Sequence, residues 1–291
     1  MEKQGDEFYK KATETINQTN WFFWGPSKSE KTNLAIEYYI KAGNQYKMAK
    51  CNEKAGDAFN NAGKLYQNNK YEYFGASSNY IKAAEMYRNI NNVNTQEALN
   101  SSTKLLLDNG KFSSAAKNLK MSGEIYEKEL NLENAISAYN KAFEYFTMDK
   151  YISEAYICLE KTTNLMVEIG NYKDGYENLK KLMEYNISLQ YSIYYRKYIF
   201  DMIVIQLFLD DIVECNKLCN QIEIAKPECK KIMEYIVIKS IIAAYEEVDS
   251  EEFDITYNRY NMIHPLKSWH KKLLSYVKDR IEHQEEDDDF R

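Results

Sequence analysis

The sequence predicts an all-α fold, a TPR-like right-handed solenoid of antiparallel helix hairpins closed by a C-terminal helical bundle. Three observations point there. Small residues recur about every twenty positions through the first two-thirds of the 291-residue chain, at Ala35, Ala55, Ala76, Ala98, Ala115, Ala135, Ala155 and Gly175. Each heads a stretch with apolar or aromatic residues at helical spacing, as in Ala135, Ile136 and Tyr139. Only three prolines and ten glycines occur, which suits long helices and argues against a turn-rich all-β fold. One interval of about twenty fits a helix plus a short turn, and two fit the roughly 34 to 47 residue period of helical-hairpin repeats. Small residues suit such a stack because helix axes about 8 to 10 Å apart leave little room for a large side chain.

The elements follow in order. A first helix is expected over Met1 to Thr19, with Phe8, Ala12 and Ile16 spaced four apart. Trp21-Phe22-Phe23-Trp24-Gly25-Pro26 then reads as a loop, because four consecutive aromatics cannot share one helix face and Gly-Pro interrupts helices. Helices alternate from about Ser29 to Glu184, separated by turn signals at Asn68-Asn69, Asn91-Asn92, Asp108-Asn109-Gly110, Met148-Asp149 and Gly170-Asn171. Gly110 and Gly170 are candidates for left-handed caps. Beyond Tyr185 the interval becomes irregular and apolar density rises, which suggests a closing bundle over 185–282 after a repeat region over 1–184. A last helix is expected over Ser268 to Ile281, burying Trp269, Leu273, Leu274, Val277 and Ile281. The acidic tail over 283–291 is expected to be disordered.

Composition narrows the function. No apolar stretch follows the charged Met1 to Lys11 segment, so a secretory leader is not expected. The strongest apolar run, Ile199 to Leu209, is broken by Asp201 and Gln206 and falls well short of the ~20 residues that span a bilayer. The five cysteines, Cys51, Cys158, Cys215, Cys219 and Cys229, form no CxxC pair, and read as buried thiols in a reducing compartment. The three histidines, His264, His270 and His283, cluster near the C-terminus, so no closed zinc site is expected. No phosphate loop, nucleophile elbow or zinc-protease motif is present. The expectation is a chain with no catalytic residue, metal or cofactor.

Charge is unevenly placed. The net is −6, yet Glu285 to Asp289 carries −5 and Glu246 to Asp254 carries −6, which leaves the remainder at +5. A basic body with an acidic C-terminal end suits two partners of opposite sign. An acidic total gives poor phosphate neutralisation, so nucleic acid is not an expected partner.

Several segments together resemble the soluble NSF attachment proteins, of the alpha/beta type. They are Tyr46-Lys47-Met48-Ala49-Lys50, Ala55-Gly56-Asp57-Ala58-Phe59, Gly110-Lys111-Phe112-Ser113-Ser114-Ala115-Ala116-Lys117, Glu124-Ile125-Tyr126-Glu127-Lys128-Glu129-Leu130, Ala244-Tyr245-Glu246-Glu247 and the terminal Glu286-Asp287-Asp288-Asp289-Phe290-Arg291. The resemblance implies a cytoplasmic adaptor, peripheral on membranes, in vesicle fusion and intracellular trafficking. It would bind the SNARE four-helix bundle, of syntaxin-type and partner SNAREs, and recruit and stimulate the hexameric AAA+ ATPase NSF. Hydrolysis belongs to that partner.

Residue roles carry over as expectations of the resemblance. Phe22 and Phe23 match the family's membrane loop, flanked here by Trp21 and Trp24. Lys111, Lys117, Lys161 and Lys197 match its SNARE-gripping basic positions, while Ile157 and Met233 stand where basic residues would be expected. Asp211, Glu246 and Glu247 match NSF contacts, with Ala243 replacing a carboxylate. The tail Asp287, Asp288, Asp289, Phe290 and Arg291 matches the ATPase-stimulating end, with Phe290 in place of a leucine. The rival readings are a gamma-type member of the family and a general TPR-like scaffold that captures peptide tails.

Overall fold

The computed structural model describes residues 1–17, 27–68, 72–188 and 194–289. Among them are fourteen α-helices, one 3-10 helix and no strand. In order these are α1 (Glu2–Asn17), α2 (Lys28–Met48), α3 (Asn52–Gln67), α4 (Tyr73–Tyr87), α5 (Asn92–Asp108), α6 (Phe112–Lys128), α7 (Leu132–Met148), α8 (Ile152–Glu168), α9 (Tyr172–Ser188), α10 (Tyr194–Phe208), α11 (Ile212–Ala225), the 3-10 turn Pro227–Lys231, α12 (Met233–Glu246), α13 (Ser250–Ile263) and α14 (Ser268–Asp289). The chain divides into two compact units, Met1–Cys158 and Leu159–Arg291. The division lies inside α8, whereas the break in sequence periodicity suggested 184/185.

A single turn device generates the twenty-residue interval. Lys50, Gly110, Leu130, Lys150, Gly170 and Asp210 all take positive φ, between 59° and 87°. After each, the next N–H reaches back to a carbonyl in the last helical turn, as Cys51 N–H does to Tyr46 O at 2.9 Å and Lys111 N–H to Leu106 O at 2.8 Å. This is the Schellman closure, which satisfies carbonyls that a helix end leaves orphaned. Five residues after each turn residue stands a small one: Ala55, Ala115, Ala135, Ala155, Gly175 and Cys215. Each occupies the first turn of the new helix, where the chain folds back closely on the preceding helix. All eight small residues singled out in the sequence are buried.

In the first unit, consecutive helices from α1 to α7 pack pairwise. Aromatic rings fill the space that glycines leave. A Cβ at Gly5 would lie 2.7 Å from the Tyr46 ring, at Gly56 2.5 Å from Tyr87 and at Gly123 2.8 Å from Tyr139. The same tyrosines donate from their hydroxyls to carboxylates, Tyr46 to Asp6 at 2.8 Å, Tyr87 to Asp57 at 2.6 Å and Tyr139 to Glu127 at 2.9 Å. Each ring is thus held flat on a glycine and tethered at its tip. Consecutive helices are tied by further polar pairs, Asn92 to Glu129 at 2.6 Å and Ser113 N–H to Asp149 at 2.7 Å. The first helix is described as Glu2–Asn17, and Thr19 lies outside the described residues; Ile16 is 40% exposed and so does not join Ala12 in the core.

The second unit is arranged around α10, which packs on α9, α11, α12 and α14. Its residues 198–207 are all buried, as expected for a helix surrounded on every side. Asp201 lies inside this helix and is fully buried. Lys267 donates to its carboxylate at 2.5 Å and His270 Nε2 lies 2.8 Å from it. Because His270 Nδ1 accepts the Lys267 N–H at 3.1 Å, Nε2 carries the proton and donates to Asp201. Trp269, Leu273, Leu274, Val277 and Ile281 are buried as the sequence indicated. However, α14 continues past Ile281 to Asp289, so residues 283–289 of the expected disordered tail are helical. Phe290 and Arg291 lie outside the described residues, as do Trp21, Phe22, Phe23 and Trp24.

Candidate functional site

The described candidate residues fall into separate groups, Lys111 and a basic cleft around Lys117 in the first unit, and two lysines and an acidic surface in the second. The first unit carries a basic cleft. Lys111 stands exposed at the N-cap of α6, where its side chain makes no capping bond. Lys117, six residues on and so about 120° further round the helix, is exposed and lines an open cleft with Arg88, Lys120, Met121, Glu124, Tyr151 and Glu154. Arg88 pairs with Glu124 at 3.0 Å and Lys120 with Glu154 at 2.9 Å. Three cations against two carboxylates leave the cleft net basic. The structure therefore sets Lys117 among cations and leaves Lys111 on a different side of the same helix.

In the second unit, Lys161 is exposed on α8. Lys197 on α10 donates to Glu160 at 2.8 Å, and the two side chains are 41% and 33% exposed. Such a half-exposed pair contributes only about 0.2 to 1 kcal/mol, so an acidic partner can exchange for Glu160 at little cost. Next to Lys197, Arg196 pairs with Glu234 at 3.2 Å and is mostly buried. Ile157 and Met233, in positions where the resemblance called for cations, are 43% and 62% exposed.

The acidic surface lies where α11 begins and α12 ends. Asp211 caps α11 by accepting the Glu214 N–H at 2.9 Å, a favourable place for a carboxylate at a helix N-terminus. Glu246, the last residue of α12, accepts from Asn216 of α11 at 2.6 Å, which brings the two helix ends together. Burial pushes the Cys215 thiol up, and Cys219 and the nearby Asp211, Glu214 and Glu246 push it further. Glu247 is exposed at the C-cap of α12 and Ala243 is half-buried. Asp210, unmarked in the sequence, accepts from Tyr245, while Arg280 donates to the carbonyls of Leu207 and Phe208 at 3.1 and 2.8 Å. The closing turns of α10 and α12 are thereby locked to α14. Asp287, Asp288 and Asp289 form the last turn of α14.

The thiols take no part in this. All five cysteines are unpaired, four of them buried, and burial pushes the Cys158 thiol up to about 11, away from a reactive thiolate. Among the described residues no group of three or more His, Cys, Asp or Glu is placed to hold a metal ion, and no helix is long and apolar enough to cross a membrane.

Arg88, Lys120, Glu160 and Asp210 are the charged residues that sequence reasoning missed. Their partners stand about 34 to 37 residues away, two helices along the chain, a spacing that no local motif reveals.

A family model described as Soluble NSF attachment protein, SNAP, matches residues 3–282. The Alpha-soluble NSF attachment protein of Vitis vinifera is 27% identical over 292 residues, covering 99% of this chain and 98% of that protein. The Beta-soluble NSF attachment protein of Bos taurus is 26% identical over 290 residues, covering 97% and 95%. The Alpha-soluble NSF attachment protein of Homo sapiens is 28% identical over 272 residues, covering 91% and 89%.

Proposed function

The chain belongs to the soluble NSF attachment protein family, and we propose that it is an adaptor in vesicle fusion that binds assembled SNARE bundles and brings the ATPase NSF to them. The observation that carries this reading is the family match across residues 3–282. Relatives named as probable vesicular-fusion proteins, from Neurospora crassa and Schizosaccharomyces pombe, support the setting.

The physical mechanism uses the basic residues and the acidic ones at different contacts. Lys111, Lys117, Lys161 and Lys197 attract the acidic exterior of a four-helix SNARE rod. Each exposed pair is worth about 0.2 to 1 kcal/mol, so several pairs and several adaptor copies act together. Asp211, Glu246, Glu247 and the end of α14 face the ATPase, with Phe290 docking while the neighbouring acids steer its approach. Trp21 to Trp24 hold the chain at the bilayer interface, where burying each ring is worth about 1.5 to 3 kcal/mol. The nucleotide chemistry is left to the partner, and the chain itself works as a coupler.

The reading is tested by binding to a purified SNARE complex over a salt series. Wild-type affinity falls as salt rises, and Lys117→Glu with Lys161→Glu weakens it strongly while thermal unfolding stays unchanged. Affinity that ignores both salt and these substitutions refutes the basic grip. Replacing Trp21 to Trp24 with serines abolishes flotation with liposomes, and persistent flotation refutes the anchor.

A further inference from the structure

The acidic end of α14 poses a physical problem. A helix C-terminus carries partial negative charge from its unpaired carbonyls, so consecutive acids there oppose continued winding. Yet α14 runs through Glu285 and Glu286 to Asp289. Ile281 anchors it by full burial, and one turn later Glu285 reaches α13. One Glu285 carboxylate oxygen accepts the Ser250 backbone N–H and the other accepts the Ser250 hydroxyl, both at 2.7 Å. The Ser250 N–H is one of the first-turn donors that α13 leaves without a helical acceptor. Asp249 satisfies a neighbouring one by accepting the Glu252 N–H at 2.8 Å. Glu285 therefore completes the cap of α13 in trans, in a region crowded with Asp249, Glu251, Glu252 and Glu286. Without the two Ser250 donors, like charge would drive the end of α14 away from α13.

We propose that Glu285 is a positioning residue: its paired hydrogen bonds to Ser250 fix the direction in which the acidic end leaves the fold, and so where that end meets the ATPase. The inference rests on the proposed contact between the tail and NSF. Glu285 acts by holding α14, and its own charge is not the contact.

The test uses the full chain with purified NSF and SNARE complex, comparing Glu285→Ala, Glu285→Gln, Ser250→Ala and deletion of Phe290 and Arg291. Glu285→Ala raises the chain concentration for half-maximal ATPase stimulation about tenfold, the scale of a lost charge-assisted bond. The maximal stimulation, SNARE binding and melting temperature are retained. Glu285→Gln keeps near-normal stimulation, because its Oε1 accepts the Ser250 N–H and its Nε2 donates to the hydroxyl oxygen. Ser250→Ala, which removes one bond and disturbs no core, falls between. Amide exchange over residues 282–289 rises about tenfold in Glu285→Ala and not in Glu285→Gln, a readout that needs no ATPase.

Wild-type stimulation and exchange in Glu285→Ala overturn the proposal. So does a Glu285→Gln variant as defective as Glu285→Ala, since charge itself would then be the contact. If deletion of Phe290 and Arg291 impairs stimulation while Glu285→Ala does not, positioning alone falls. Should that deletion change nothing, the tail contact falls and positioning falls with it.

Discussion

Residues 1–158 build their core from alanine and glycine seats filled by tyrosine and phenylalanine rings, repeated helix after helix. Residues 159–291 instead surround one helix, α10, with a mixed set of aliphatic and aromatic side chains, and place the charged Asp201 inside that helix. The periodic unit takes its register from local geometry, because each ring fits only the glycine opposite it. The second unit mixes aliphatic side chains with large rings, Phe200 stacked on Tyr260 among them, and the Asp201, His270 and Lys267 contacts fix how α10 meets the chain around α14. Removing one partner of such a buried network leaves the others uncompensated, so the arrangement tolerates little change.

Breaking that network gives the largest expected effect. Asp201→Ala leaves Lys267 and His270 without their acceptor and costs about 3 to 5 kcal/mol, measured by chemical denaturation. A loss below 1 kcal/mol would show that the network is dispensable. In the first unit, Gly56→Ala forces a methyl to within 2.5 Å of the Tyr87 ring and costs about 1 to 3 kcal/mol. Its effect on amide exchange is confined to that unit.

Acid sharpens the contrast between the units. Burial holds the His270 pKa below its ordinary 6.5, so the folded ring is neutral and the unfolded ring takes up a proton more readily. Its contribution to stability is complete above about pH 6.5 and is lost as pH falls through the lower folded value. Burial alone would raise the Asp201 pKa, but Lys267 and His270 together lower it below 3.8, which adds a loss in stronger acid. The first unit contains no histidine. Glu2 and Asp6 there are held below 4.5 and 3.8, chiefly by hydrogen bonds from Lys54 and Tyr46 respectively, and lose their contribution only below those values. Between pH 6.5 and 4.5, amide protection, taken relative to the intrinsic exchange rate at each pH, therefore falls in the second unit first, and an equal fall in both contradicts the assignment.

The smallest effect concerns the turns. Leu130 is 81% exposed and sits at φ 59°, a conformation that costs a residue with a Cβ about 1 to 2 kcal/mol. Glycine removes that cost but loses more chain entropy, so Leu130→Gly raises stability by about 0.5 to 1 kcal/mol. A raised melting temperature confirms it and a lowered one refutes it.

The sequence made the repeat legible where its turn residues were glycine. Gly110 and Gly170 announced their left-handed turns, but Lys50, Leu130, Lys150 and Asp210 adopt the same conformation with side chains that give no such signal. Asp210 and Cys215 carry the interval beyond 185, where the sequence looked irregular because α10 is apolar all round and has no face to show. The candidate lysines come from the resemblance alone; Lys117 and Lys161 are exposed, and Lys197 pairs with Glu160. The carboxylates that temper them, Glu124, Glu154 and Glu160, were not legible, since pairing across two helices depends on the fold. The same holds for the length of α14, whose Glu285 finds Ser250 at a separation of 35 residues.

The adaptor reading is tested most directly by following disassembly of a purified SNARE complex by NSF and ATP, with and without this chain. Disassembly that requires the chain, and that stops when Phe290 and Arg291 are removed although SNARE binding persists, is the predicted result. Disassembly at the same rate in its absence, or no disassembly in its presence, contradicts it.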